Sequence, residues 1–104
     1  MRVFVVESDR FEKRPLFMAI VDALRERGFS GATVLKGIEG FGPRRRLHAA
    51  AAFDYSTDLP VLVEVAETDE KIRAVLPFLA KMIPNGLVTL EKIEMRAVGM
   101  TGQS

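Results

Sequence analysis

The spacing of hydrophobic positions changes several times along this chain, and each change marks an element. Arg2 to Glu7 is β-branched and aromatic (Val3-Phe4-Val5-Val6) and predicts a buried strand. A polar stretch follows from Ser8 to Arg14. Pro15 then suits the first position of a helix, where a missing N–H costs nothing. Leu16, Ile20, Ala23 and Leu24 recur at helical spacing with Asp22, Arg25 and Glu26 between them, and Gly28 is placed to end that helix. Gly31 to Ile38 predicts a second strand, loosened by glycine. Pro60 to Val65 predicts a third. Thr68 is a helix N-cap with Asp69 and Glu70 in the first turn, and Ile72, Val75, Leu76, Leu79 and Ile83 form a second apolar stripe. Pro77 lies inside that stripe and predicts a kink. After the turn Pro84-Asn85-Gly86, residues Leu87 to Arg96 predict the last strand.

Between these elements, Glu39 to His48 has glycines and a proline that break both periods. Ala49 to Asp58 supports two readings, a helix from its alanines or the far arm of a long hairpin. The order strand, helix, strand, strand, helix, strand predicts an α+β, ferredoxin-like βαββαβ fold. It would be a four-stranded antiparallel sheet with both helices on one face. Residues 1–96 would form the single domain, with a long loop at about 39–58 and a flexible tail at 97–104. The strands carry apolar residues on consecutive positions (Val3 to Val6, Val61 to Val63), which predicts burial of both sheet faces and hence a homo-oligomer.

Composition narrows the function. At 104 residues, with no cysteine and a formal net charge of +1, the chain has no disulfide, thiolate site or broad basic field. A nucleic-acid partner is therefore not expected, since Arg44-Arg45-Arg46 is one short cluster without an extended footprint. No apolar run approaches the length of a membrane span, and the expected location is the cytoplasm.

Candidate chemistry gathers in the glycine-rich segment. Gly37, Gly40 and Gly42 beside Arg44 and Arg46 form either an anion site from backbone N–H groups and guanidinium charge, or a loop needing glycine for its turns. Phe41 among those glycines is an aromatic free to stack on a base or grip a partner. His48 is the sole histidine, too little for a metal site by itself, and reads as a loop residue with a minor role as a pH-sensitive contact. The carboxylates Glu64, Glu67 and Asp69 cluster around one strand end, and Glu7 and Asp9 around another. Paired carboxylates can do acid–base work or hold Mg²⁺ with substrate phosphates. A structural role is favoured, with Thr68, Asp69 and Ser8 as helix caps and first-turn charges. No nucleophile–base pair is evident, so the chain is read as a non-enzyme with no catalytic residues and no cofactor.

The run Gly28-Phe-Ser-Gly31-Ala-Thr33-Val34, then Gly40-Phe41-Gly42 and His48, resembles the PII nitrogen-regulatory signalling proteins. Over residues 2–96 the chain is more similar to a PII-like group of unassigned function, through Glu7-Ser-Asp9, Arg46-Leu-His48, Asp58-Leu-Pro-Val61, Asp69-Glu-Lys-Ile72 and Gly86-Leu-Val-Thr89. The resemblance implies a trimer that binds an adenine nucleotide as effector between subunits and signals to a partner through its long loop. It also implies a membrane transporter or channel as partner, a fluoride exporter among the candidates. An alternative is an interaction subunit of such a transporter that needs no effector. The ligand-binding residues carried over are Gly37, Gly40, Phe41, Gly42, Arg44, Arg46 and His48, with Gly86 and Arg96 at the cleft. Three departures stand out: one extra residue between Thr33 and Gly40, no lysine after Asn85-Gly86, and only Arg96 where PII proteins carry two arginines. They favour a ligand with few phosphates or none.

Overall fold

A computed structural model describes residues 1–38 and 58–99. Its elements in chain order are β1 (Arg2–Val6), β2 (Arg10–Phe11), β3 (Arg14–Pro15), α1 (Leu16–Glu26), β4 (Thr33–Lys36), β5 (Pro60–Glu64), α2 (Asp69–Met82) and β6 (Leu87–Thr89). Strands β4, β5, β1 and β6 form one sheet in that order, and every neighbouring pair is antiparallel. This four-stranded sheet with two helices is the arrangement expected of a ferredoxin-like α+β fold.

The register shows how the sheet divides its two faces. Val3 pairs with Val63 and Val5 with Val61, and all four are buried. They meet Leu16, Ala19, Ile20, Ala23 and Leu24 of α1 and Ile72, Val75, Leu79 and Met82 of α2 in one core. Both helical stripes thus sit where the 3.6-residue period places them. On the opposite face Leu35, Leu62, Phe4 and Leu87 stand side by side, one from each strand. Leu35 and Leu87 keep 52% and 60% of their surface in solvent. Burial of both faces is therefore not met within one chain, because the two helices cover only one side.

The helix ends follow local chemistry. Gly28 takes φ +83 directly after α1, a conformation costly for any residue with a Cβ, and turns Phe29 back into the core. Thr68 caps α2, its hydroxyl oxygen accepting from the Lys71 N–H at 3.3 Å. Pro77 lies on the exposed side of α2, and the helix runs through it to Met82.

Several sequence expectations need correction. Pro15 is the N-cap residue of α1 and pairs with Arg10, so the polar stretch before it contains a small hairpin. Its turn is Glu12-Lys13, both with positive φ, the twist that two-residue hairpins favour. Neither residue is a glycine, which hides the turn from a sequence reading. Ser8 caps no helix; its hydroxyl donates to Asp58 at 2.9 Å. Asp9 is buried and accepts from the Val6 N–H at 3.0 Å, closing the turn after β1. The last strand pairs only over Leu87–Thr89, because β1 ends its ladder with β6 at Arg2, opposite Thr89.

Candidate functional site

The sheet has two ends with different chemistry. At one end a cleft of about 540 Å³ opens over the open face. Its floor is the row Thr33, Glu64, Arg2 and Thr89, one residue from each of the four strands and next to the apolar row. The loop Ser30-Gly31-Ala32 forms one wall, and Glu91 with Ile93 beyond β6 forms another.

That wall loop is held from below by α2. The Glu67 carboxylate accepts from the Ser30 N–H at 3.2 Å and from the Thr68 N–H at 3.1 Å. Lys71 donates to the Gly28 carbonyl at 2.8 Å and lies 3.7 Å from Glu67. The two backbone N–H groups, Ser30 first, hold the Glu67 carboxyl below the usual glutamate range against its partial burial. Gly31 has open space where a Cβ would stand.

The charges of the floor are already matched. Arg2 Nε donates to Glu64 and Arg2 Nη1 to Glu91, each at 2.8 Å. These hydrogen bonds, Glu64 first, raise the Arg2 pKa further above its ordinary value. The lining thus holds one arginine between two glutamates, which leaves it without net positive charge to attract a polyphosphate. The remaining polar groups are the Thr33 and Thr89 hydroxyls and the backbone of Gly31 and Ala32. Such a surface suits a flat, hydrogen-bonding, weakly charged group better than a polyphosphate.

At the opposite end of the sheet lie both feet of the segment 39–57. Lys36 Nζ pairs with Glu7 at 2.5 Å, and the Gly37 N–H donates to the Pro60 carbonyl at 2.8 Å. The Glu7 N–H donates to the Leu59 carbonyl at 2.8 Å, and Ser8 holds Asp58. Strand β4 runs from the cleft at Thr33 to this foot at Lys36, about 10 Å at the usual strand rise.

The structure disperses the described candidates from the sequence. Gly37 packs on Pro60, whose Cγ would lie 2.7 Å from an added Cβ. Gly86 sits at the same end but beside the far edge strand, where a Cβ would meet Ile83 Cγ2 at 2.5 Å and the Phe4 carbonyl at 3.1 Å. Packing accounts for both glycines. Arg96 is exposed and pairs with Glu94 at 2.7 Å. None of the three lines the cleft, and Gly40, Phe41, Gly42, Arg44, Arg46 and His48 lie outside the described residues. Sequence reasoning missed Arg2, Gly31, Thr33, Glu91 and Ile93, and gave Glu64 a structural role only. For Gly31 and Thr33 the signal was present, since both belong to the Gly28 to Val34 run.

Among the described residues no group of three or more His, Cys, Asp or Glu could hold a metal, and no helix is long and apolar enough to cross a membrane. Comparison with known proteins gives a consistent result. A UPF0166 protein of Aquifex aeolicus is 36% identical over 95 residues, covering 91% of this chain and 90% of its own. One from Methanocaldococcus jannaschii is 38% identical over 94 residues, covering 86% and 83%. A second from Aquifex aeolicus is 32% identical over 95 residues, covering 91% and 93%. The model of the DUF190 family, described as an uncharacterized ACR, matches residues 1–95, in accord with the PII-like resemblance in the sequence. The chain belongs to the DUF190 family, a PII-like family of unassigned function.

Proposed function

We propose that this chain is a cytoplasmic regulatory protein of the PII-like kind, not an enzyme. It binds a small effector in the cleft between subunits of a homotrimer and acts on a partner through the segment 39–58. The observation that carries this reading is the place of Gly31, Ala32 and Thr33. The run that resembles PII proteins lines the cleft described above, and β4 joins that cleft to the feet of the segment. The exposed row Leu35, Leu62, Phe4 and Leu87 beside the cleft supports burial against other subunits. The candidate effector is an adenine nucleotide, with its base and ribose on the cleft floor. The paired state of Arg2 favours AMP or a cyclic nucleotide over ATP. A membrane transporter or channel is the candidate partner.

The test is thermal stabilisation by ATP, ADP, AMP and cyclic nucleotides, which for a ligand of the folded state adds about 2.7 kcal/mol at a hundredfold excess over Kd. The expected result is a shift with one nucleotide that is lost in Gly31→Val, whose unliganded melting point stays put. No shift with any nucleotide would overturn the effector reading and favour an effector-independent subunit of a membrane transporter.

A further inference from the structure

The bend between α2 and β6 is Pro84-Asn85-Gly86, and all three residues are exposed. Asn85 is the only asparagine of the chain. Among the described residues neither its carboxamide nor the Gly86 N–H has a hydrogen-bond partner. Asparagine before glycine is a reactive pair, because the following backbone nitrogen can attack the side-chain carbonyl carbon. A Cβ on that following residue hinders the attack, and glycine has none.

Packing keeps the pair reactive. A Cβ at Gly86 would lie 2.5 Å from Ile83 Cγ2 and 3.1 Å from the Phe4 carbonyl oxygen, so the fold holds a glycine there. Gly86 is not among the residues with positive φ, and close approach rather than backbone conformation selects it. Those contacts crowd the α-carbon, while the nitrogen stays unbonded and open to solvent.

We propose that Asn85 deamidates spontaneously in the folded chain, and that the isoaspartate formed there loosens β6. The Gly86 nitrogen bonds to Asn85 Cγ and gives up its proton, the Cγ–Nδ2 bond breaks, and the amide nitrogen leaves as ammonia. Water then opens the succinimide. Opening at Cγ leaves aspartate. Opening at the main-chain carbonyl leaves isoaspartate, whose backbone runs through Cβ and Cγ and is longer by one carbon. That carbon enters directly before Gly86 and displaces it from its seat against Ile83 and Phe4. Strand β6 pairs with β1 only through Leu87 on Phe4, Val88 on Val3 and Thr89 on Arg2, so little else holds its register. The same strand leads to Thr89, Glu91 and Ile93 in the cleft, and a lesion at this bend therefore reaches a wall at the other end of the sheet. The reaction needs only water, and it stands whether or not the cleft takes a nucleotide.

The test is incubation of the full chain in mildly alkaline buffer, with mass spectrometry of the peptide that carries Asn85. A protein isoaspartyl methyltransferase reports the isoaspartate. The expected result is amide-to-acid conversion at Asn85 in the folded chain at a rate close to that of the same chain in urea, and none in Asn85→Ser. Conversion in urea alone would overturn the proposal, since the fold would then shield the pair. The added carboxylate cancels the formal net charge of +1, so ion exchange separates the aged chain from the fresh one. The isoaspartate form should melt below the fresh chain, with faster hydrogen exchange in β6 and in its partner β1. Fresh Asn85→Asp carries the charge without the extra carbon and should melt with the wild type. An isoaspartate form as stable as the fresh chain, or an Asn85→Asp variant as weak as the isoaspartate form, would overturn the loosening of β6 by the longer backbone.

Discussion

The Glu67 carboxylate accepts the Ser30 N–H at 3.2 Å and so fastens the wall of the cleft to the start of α2. The same carboxylate takes the Thr68 N–H, while Thr68 itself caps the helix. One ionised side chain therefore holds a loop and a helix terminus together.

A pH dependence follows from that bond. Because folding lowers the Glu67 pKa, its contribution is fully present above the unfolded value and is lost as pH falls through the glutamate range, from about 4.3 downward. Glu67→Gln should lower the melting temperature at neutral pH and flatten its decline between pH 5 and pH 3 (roughly the span of carboxylate titration). Parallel melting curves for the two proteins over that range would refute the assignment.

The glycines give a contrast. Gly86→Ala forces a methyl against Ile83 and the Phe4 carbonyl and should cost about 1–3 kcal/mol in urea unfolding. Gly31→Ala meets nothing within 4 Å and should change stability by less than about 0.5 kcal/mol. Equal effects at both positions would contradict the packing described.

Leu79 is 1% exposed and packs in the core between α2 and the sheet. Leu79→Ala should lose about 2–5 kcal/mol through lost burial and a residual cavity. Met18, on the same molecule but 48% exposed, should lose little when changed to Ala, and urea midpoints measure both.

Removing Arg2 tests the charge balance of the cleft. Its partners are all part-exposed, so Arg2→Ala should leave the urea midpoint nearly unchanged. It leaves Glu64 and Glu91 without their cation, and the Kd of an anionic nucleotide should rise. Titration calorimetry at two salt concentrations would show the rise shrinking as salt screens the carboxylates.

Much of the fold was legible because its signals are local. Leu16, Ile20 and Leu24 declare a helix face by spacing alone, and Thr68 announces α2 through a bond to a residue three positions away. The hairpin at Arg10 to Pro15 was hidden because Glu12 and Lys13 adopt positive φ without the glycine or asparagine that would signal it. The candidate site was less legible. Gly37 and Gly86 looked like ligand residues, yet each is small because a neighbour, Pro60 or Ile83, occupies the space of a Cβ. Arg2 and Glu64 are 62 residues apart and meet only through the register of β1 on β5.

The sequence alone determined the order of the four main-sheet strands and two helices, the buried stripe of each helix and the kinship with PII-like proteins. Those properties depend on neighbours within one or two turns of chain. Only the tertiary structure decided that Thr33, Glu64, Arg2 and Thr89 form one floor, and that β6 outruns its partner after Thr89. Both depend on the pairing register of distant strands, where a shift of one residue would turn every side chain to the other face.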